Sequence, residues 1–210
     1  MLYRHFFWDF DGTLYDTYGR ISRAFLKGLR DLGIQASCDQ VYALNKRSNQ
    51  ECARFFAAQR EGVETEDILK AYRAHSEEES IDGVSLYPGV RDVLETVLRR
   101  GGQNYLFTHR GESLDKFLRR DGLQALFADR VTSLDGFPRK PAPDALLYLM
   151  EKHGLEKKDC VMIGDRDIDL DSGKNAGMAC ALFDPDHFYP DYDTPWRFDT
   201  MAALKDALCG

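Results

Sequence analysis

The sequence predicts an α/β protein in which a doubly wound parallel, Rossmann-like sheet carries an inserted all-helical domain. Short apolar runs alternate with helical patterns along most of the 210 residues. Unbroken runs of this kind are typical of parallel strands that helices cover on both faces. The alternation stops only between residues 15 and 86, where helical patterns occur and no convincing strand does.

Five apolar runs are the candidate strands of the sheet. A helix over Val90–Arg100 ends at a glycine pair, and a helix over Pro143–His153 begins with proline in its first turn. The sheet domain is therefore expected over residues 1–14 and 87–210. Its predicted strands are Tyr3–Phe10, Asn104–Thr108, Arg130–Leu134, Cys160–Gly164 and Ala179–Phe183.

Residues 15–86 are predicted to form the helical insertion. Apolar residues recur at helical spacing between Ile21 and Leu32. Ser48-Asn49-Gln50-Glu51 is a capping box that opens a helix over Glu51–Gln59. Thr65–Glu79 shows a further helical pattern.

Composition excludes several classes of function. The chain is 43% hydrophobic and 30% charged, as ordinary soluble globular proteins are, and its net charge of −7 argues against a dedicated nucleic-acid binder. No apolar stretch approaches the roughly 20 residues that span a bilayer. The five cysteines include no CxxC pair, which favours reduced thiols over a disulfide framework or a zinc site. With no signal-peptide pattern at the beginning of the sequence, the expected location is the cytoplasm, without a membrane partner.

The strongest chemical signal is Asp9-Phe10-Asp11-Gly12-Thr13, directly after the first predicted strand. The two-residue period of a strand places Asp9 and Asp11 on the same side at its carboxyl end. Ligands bind at that edge in open α/β sheets. Two neighbouring carboxylates repel each other unless a cation or a proton intervenes, so a functional pair is favoured over an acidic turn.

A second acidic cluster follows the strand predicted over Cys160–Gly164. Asp165 lies at the end of that strand, and Asp169 lies four residues further on, within reach of the same edge if a helix begins there. Carboxylate oxygens without Cys or His ligands suit a hard cation such as Mg²⁺. The alternative for both residues is capping of a helix N-terminus, where acidic side chains are favoured.

Two further polar residues fall at comparable places. Thr108 ends a predicted strand, so its hydroxyl is expected at the same sheet edge, and Lys140 precedes the helix that Pro143 opens. Each residue alone is ordinary, but four strand-end motifs in this order argue against coincidence.

In this order the motifs DFDGT, strand-end Thr, Lys before a helix and GDRDID resemble the haloacid dehalogenase superfamily of phosphohydrolases, over essentially the whole chain. The chain is most similar to the helical-cap branch of phosphoglycolate phosphatases and β-phosphoglucomutases. The resemblance implies a Mg²⁺-dependent phosphatase for a small phosphorylated metabolite, acting as a monomer or homodimer. A phosphotransferase or mutase is the alternative, and a phospho-acceptor regulatory protein fits the DxDGT spacing and the insertion less well.

The resemblance also implies residue roles. Asp9 is the expected nucleophile, which forms an aspartyl-phosphate, and Asp11 the expected general acid and then base. Thr108 is expected to donate to a phosphoryl oxygen. Lys140 is expected to hold Asp9 and neutralise developing charge.

The expected Mg²⁺ ligands are Asp9, the backbone carbonyl of Asp11, and Asp165. Asp169 is expected to brace the site or its waters. Relatives of the mutase type usually lack an acid at this position, so its presence favours transfer to water.

Substrate recognition is predicted at two dipeptides. His109-Arg110 follows Thr108 where many relatives have Asn, and is either structural or in contact with the phosphate or a substrate carboxylate. Lys46-Arg47 precedes the helix that Ser48 caps, and would bind a carboxylate or second phosphate, unless both side chains are simply solvated. The acidic, aromatic stretch Asp184–Phe198 is expected to be a surface loop rather than a substrate-binding flap.

Overall fold

The computed structural model describes residues 2–78 and 80–210. The chain divides into two compact units, a sheet unit (Met1–Tyr15 and Leu86–Gly210) and a helical unit (Asp16–Ser85). Within the described residues, no helix is both long and apolar enough to cross a bilayer.

The sheet unit is built on six parallel strands in the order β3-β2-β1-β4-β5-β6, which confirms the predicted doubly wound α/β class. The chain runs outward from β1 to β3 and then returns to the other side of β1, so the order reverses between β1 and β4. Open α/β sheets bind ligands at such a switch point. The strands are β1 (His5–Trp8), β2 (Gln103–Phe107), β3 (Asp129–Val131), β4 (Cys160–Gly164), β5 (Ala179–Phe183) and β6 (Arg197–Phe198).

Nine helices are described. Those of the helical unit are α1 (Tyr18–Asp31), α2 (Cys38–Arg47), α3 (Asn49–Ala57) and α4 (Thr65–Glu78). Those of the sheet unit are α5 (Val90–Arg99), α6 (Ser113–Arg120), α7 (Asp144–His153), α8 (Asp167–Ala176) and α9 (Met201–Cys209).

Several predicted bounds need correction. β1 is shorter than Tyr3–Phe10, and the third strand covers Asp129–Val131 instead of Arg130–Leu134. α3 begins two residues before the predicted Glu51, because the Ser48 hydroxyl accepts the Glu51 N–H (2.9 Å) and thereby caps a helix that starts at Asn49. Glu79, the last residue of the predicted fourth helix, lies outside the described residues.

The stretch predicted as a surface loop, Asp184–Phe198, is more ordered than a simple loop. It ends in β6, which pairs with β5. The Asp184 carboxylate is buried and accepts the N–H groups of Phe188 (2.7 Å) and Tyr189 (2.9 Å) and one from the Arg197 side chain (3.1 Å). The buried Asp184 carboxylate therefore ties the beginning of this segment to residues 188, 189 and 197.

Both units have apolar cores. In the sheet unit, the rings of Phe7 and Tyr105 stack at 4.8 Å within a core that includes Met162. In the helical unit, Phe25 of α1 stacks on Tyr72 of α4 at 4.3 Å. Gly28 permits this close crossing, because a Cβ there would lie 2.9 Å from the Tyr72 backbone nitrogen.

Candidate active site

Three polar residues stand at the carboxyl ends of the central strands. Asp9 follows β1 and donates its N–H to the Ile163 carbonyl at 2.9 Å, which places it level with the end of β4. Asp165 follows β4, and Thr108 follows β2. All three side chains are buried. The parallel sheet therefore brings together residues that are far apart in sequence.

A buried carboxylate cluster occupies this edge. Asp9, Asp165 and Asp169 each offer an oxygen that lies within 4.8 Å of the oxygens of the other two. Asp9 Oδ2 is buried and has no hydrogen-bond partner among the described residues. A buried carboxylate oxygen without a partner is costly, and an all-oxygen donor set suits a hard cation. The residues present therefore fit Mg²⁺.

Lys140 bridges two of these carboxylates. Its Nζ lies 2.5 Å from Asp9 Oδ1 and 2.8 Å from Asp169 Oδ1, and it also lies 4.5 Å from the centre of the Phe107 ring. Burial alone would lower the pKa of Lys140, but the carboxylates of Asp169 and Asp9 together raise it. The bridge is therefore a buried ammonium between two acids.

The two acids respond differently to the same surroundings. Burial raises the pKa of Asp9 to about 7, although Lys140 opposes the shift. Burial also acts to raise the pKa of Asp169, but Lys140 and then Arg166 outweigh it and lower that pKa. Asp169 is therefore the firmly ionised partner of Lys140 and leaves Asp9 as the more weakly stabilised anion.

Asp169 is held from two sides. Oδ1 accepts from Lys140, and Oδ2 accepts the Arg166 backbone N–H at 3.1 Å in the first turn of α8. Gly164 makes room for it, because a Cβ at position 164 would lie 2.2 Å from Asp169 Cβ. The fold thus requires glycine here to seat Asp169 against the lysine.

We expect Gly164→Ala to lower turnover roughly tenfold or more, because the added methyl displaces Asp169 and loosens Lys140. Overpacking should also cost about 1–3 kcal/mol of unfolding free energy. Steady-state kinetics and urea unfolding measure the two effects. Gly83→Ala is the matched control, because none of the described residues would come within 4 Å of its Cβ. Wild-type turnover and stability in Gly164→Ala would show that Asp169 does not depend on this contact.

Asp11 lies apart from the carboxylate cluster and is paired with Arg110. The Arg110 guanidinium donates to both Asp11 oxygens and, at 2.9 Å, to the Ser113 hydroxyl. It also lies 5.0 Å and 4.9 Å from the centres of the Phe10 and Phe117 rings. Sequence reasoning left Arg110 either structural or in contact with the substrate, and did not foresee this ion pair. The contact of Arg110 with substrate and the coordination of the metal by the Asp11 carbonyl stay predictions.

His109 supports the backbone that presents Lys140. Its Nε2 accepts the Lys140 backbone N–H at 2.9 Å. Burial, followed by the charges of Lys140, Arg139 and Arg166, lowers the pKa of His109 to about 3. The imidazole is therefore neutral near pH 7 and accepts from the Lys140 backbone, while its contact with substrate stays a prediction.

The predicted pair in the helical unit has two different environments. Lys46 is buried, with its ammonium 4.5 Å from the centre of the Tyr18 ring, whereas Arg47 is exposed and pairs with Glu51 at 3.3 Å. Sequence reasoning missed Asn45, which is buried with neither amide atom hydrogen-bonded to any described residue. A buried polar residue beside Lys46 could have been suspected only from its place at the end of α2.

Comparisons with known proteins extend these observations. Residues 6–183 match the sequence model of the haloacid dehalogenase-like hydrolase family. A phosphoglycolate phosphatase of Aquifex aeolicus is 26% identical over 184 residues, which cover 83% of this chain and 81% of the relative. The pyrophosphatase PpaX of Halalkalibacterium halodurans is 27% identical over 195 residues, which cover 85% and 88%.

Solved structures show the same architecture. A hydrolase from Streptococcus pneumoniae TIGR4 is 32% identical with a TM-score of 0.67, and the match covers 99% of both chains. A predicted phosphoglycolate phosphatase from Haemophilus somnus 129pt shares the fold at 21% identity, with a TM-score of 0.84 over 99% of this chain and 98% of the other. The matched family region holds the whole carboxylate–lysine site, and the chain belongs to the haloacid dehalogenase-like hydrolases.

Proposed function

We propose that this protein is a Mg²⁺-dependent phosphatase that hydrolyses a small phosphorylated metabolite through an aspartyl-phosphate at Asp9. The observation that carries the proposal is the buried cluster of Asp9, Asp165 and Asp169 with Lys140 at the carboxyl edge of the sheet. The phosphoglycolate phosphatase and pyrophosphatase names of the relatives support the reaction class.

In the first step, an Asp9 oxygen attacks phosphorus, an O–P bond forms, and the bond to the leaving oxygen breaks. Lys140 orients the Asp9 carboxylate through Oδ1. The Thr108 hydroxyl would donate to a phosphoryl oxygen. Asp9 and Asp165 would hold Mg²⁺, which supplies charge neutralisation for the phosphoryl group and the carboxylates. Catalysis of this kind is mainly positioning and electrostatic stabilisation.

Asp11 gives its proton to the leaving oxygen and later takes one from the water that hydrolyses the aspartyl-phosphate. The Arg110 ion pair favours the ionised form of Asp11, since a nearby cation stabilises a carboxylate. We therefore expect this pair to open before Asp11 acts as an acid.

The test is release of inorganic phosphate from a panel of phosphorylated metabolites with Mg²⁺, with an Asp9→Asn preparation as the blank. Stoichiometric phosphate release by the wild-type chain supports the phosphatase. A mutase would instead move phosphate between positions of the substrate and release little of it. A panel in which no member loses or moves phosphate would refute the proposal.

Specificity is proposed to depend on Lys46 and Arg47. We expect Lys46→Met and Arg47→Ala to raise KM about tenfold for a substrate with a second anionic group, since each removes a cation suited to it. The effect on an aryl phosphate ester whose leaving group carries no charge should be much smaller. Lys70→Ala, which removes an exposed lysine of α4, is the control. Equal effects on both substrates would contradict this assignment.

A further inference from the structure

Two hydrogen-bond donors face each other beside the catalytic lysine. His109 Nδ1 and the terminal Nη2 of Arg139 lie 3.3 Å apart. On the other side of the ring, Nε2 lies 2.9 Å from the Lys140 backbone nitrogen, which can only donate. A neutral imidazole has one acceptor nitrogen and one N–H, so Nε2 is the acceptor and the proton is on Nδ1. The Arg139–His109 approach is therefore between donors.

Arg139 has no carboxylate partner among the described residues, and its side chain is accessible to solvent. Partial burial of the group and the nearby Arg166 guanidinium lower the pKa of Arg139, so a second cation lies within electrostatic range. Arg166 also acts on Asp9, where its charge partly opposes the rise in pKa that burial causes. In a chain with a net charge of −7, Arg166 is therefore a cation that acts on both Arg139 and Asp9.

The missing element of this arrangement is an acceptor. An oxyanion between His109 Nδ1–H and the Arg139 guanidinium would accept a hydrogen bond from each of them. Two charge-assisted hydrogen bonds would then replace the unfavourable contact between two donors. The position is coupled to catalysis, because the imidazole that supplies one donor also holds the backbone of Lys140, whose ammonium contacts Asp9.

We propose that His109 Nδ1–H and Arg139, in the field of Arg166, form a second anion subsite that binds an anionic group of the substrate other than the transferred phosphoryl group. The subsite takes a carboxylate or a second phosphate, and so selects compact substrates that carry two anionic groups. This rests on the proposed phosphatase function, and it adds a specificity element in the sheet unit to the one proposed at Lys46 and Arg47.

Binding is the direct test, because it does not need turnover. The Asp9→Asn protein is titrated calorimetrically, in excess Mg²⁺, with inorganic phosphate, phosphoglycolate and pyrophosphate, with and without Arg139→Gln. We expect Arg139→Gln to weaken binding of at least one two-anion probe by roughly 10- to 100-fold, the range for lost hydrogen bonds to a charged group, and that of inorganic phosphate by less than about threefold. The affected probe shows whether the subsite takes a carboxylate or a phosphate.

Two further variants sharpen the result. Arg139→Lys should restore part of the lost affinity, because it restores the charge without the planar fork. Arg119→Gln, at an exposed arginine near the end of α6, should leave all three affinities unchanged. Equal weakening of all three probes by Arg139→Gln, or no weakening of any, overturns the subsite.

Measurements of turnover distinguish failure of the anion subsite from failure of the proposed phosphatase function. If the wild-type chain hydrolyses no phosphate ester while Arg139→Gln still discriminates between the probes, the phosphatase fails and the anion subsite stands. If the wild-type chain is an active phosphatase and Arg139→Gln does not discriminate, the subsite fails and the phosphatase stands.

Discussion

Asp9→Asn is expected to lower kcat by roughly 10⁴-fold or more, since it removes the nucleophile of the proposed covalent route. The amide keeps the size of the carboxyl group and an oxygen that can accept from Lys140, so the fold should persist. Phosphate release and far-ultraviolet circular dichroism measure the two properties. Residual activity within about tenfold of wild type would exclude Asp9 as the nucleophile.

In the metal-free protein, the same substitution should also show how much unfolding free energy is lost when the buried Asp9 carboxyl group ionises. Burial raises the pKa of Asp9 from 3.8 to about 7, so the folded state binds this proton more tightly than the unfolded state. Such a group adds stability below its unfolded pKa and loses that contribution as pH rises through its folded pKa. Asp9→Asn should therefore gain unfolding free energy relative to wild type as the pH increases from about 4 to about 8. A difference that is constant with pH would contradict the raised pKa.

Removal of Mg²⁺ is expected to abolish turnover and to lower the melting temperature. A cation that binds only the native state at about 100 times its Kd adds roughly 2.7 kcal/mol of stability. For a chain of this length that corresponds to about 5–10 °C. Chelation followed by thermal unfolding, with Mg²⁺ restored in a second sample, measures the shift.

Asp165→Ala should remove this metal-dependent shift together with activity, because it deletes one of the three clustered carboxylates. Asp206→Ala, at an exposed acid of α9, is the matched control and should retain both. If chelation left both turnover and melting temperature of the wild-type chain unchanged, the metal assignment would be wrong.

Two of the five predicted strands have the predicted bounds. These are β4, which is buried throughout, and β5, in which four of the five residues are buried, and turn residues follow each of them. β6 is two residues long, too short to show a hydrophobic pattern in the sequence. Its pairing with β5 depends on how residues 184–198 fold around the buried Asp184 carboxylate. Local periodicity cannot supply such contacts.

For the site, too, the sequence predicts the local features and not the contacts between distant residues. The sequence places Asp9, Thr108 and Asp165 at strand ends, and a parallel sheet must bring those ends to one edge. It does not show which side chains pair there. Arg110 contacts Asp11, which is 99 residues away in sequence, and His109 contacts the Lys140 backbone, which is 31 residues away. These contacts join separate loops, and only the folded chain determines the path of each loop.

The most direct test of the account is whether Asp9 carries phosphate during turnover. The wild-type chain is quenched in acid while it hydrolyses its best substrate and is then digested with pepsin at acidic pH, where an aspartyl-phosphate survives. The peptide that contains Asp9 should carry one acid-stable, hydroxylamine-labile phosphoryl group, and fragmentation by mass spectrometry should place it on Asp9. A phosphoryl group on another residue, or hydrolysis that inverts the configuration at phosphorus with no phosphorylated peptide, would contradict the account.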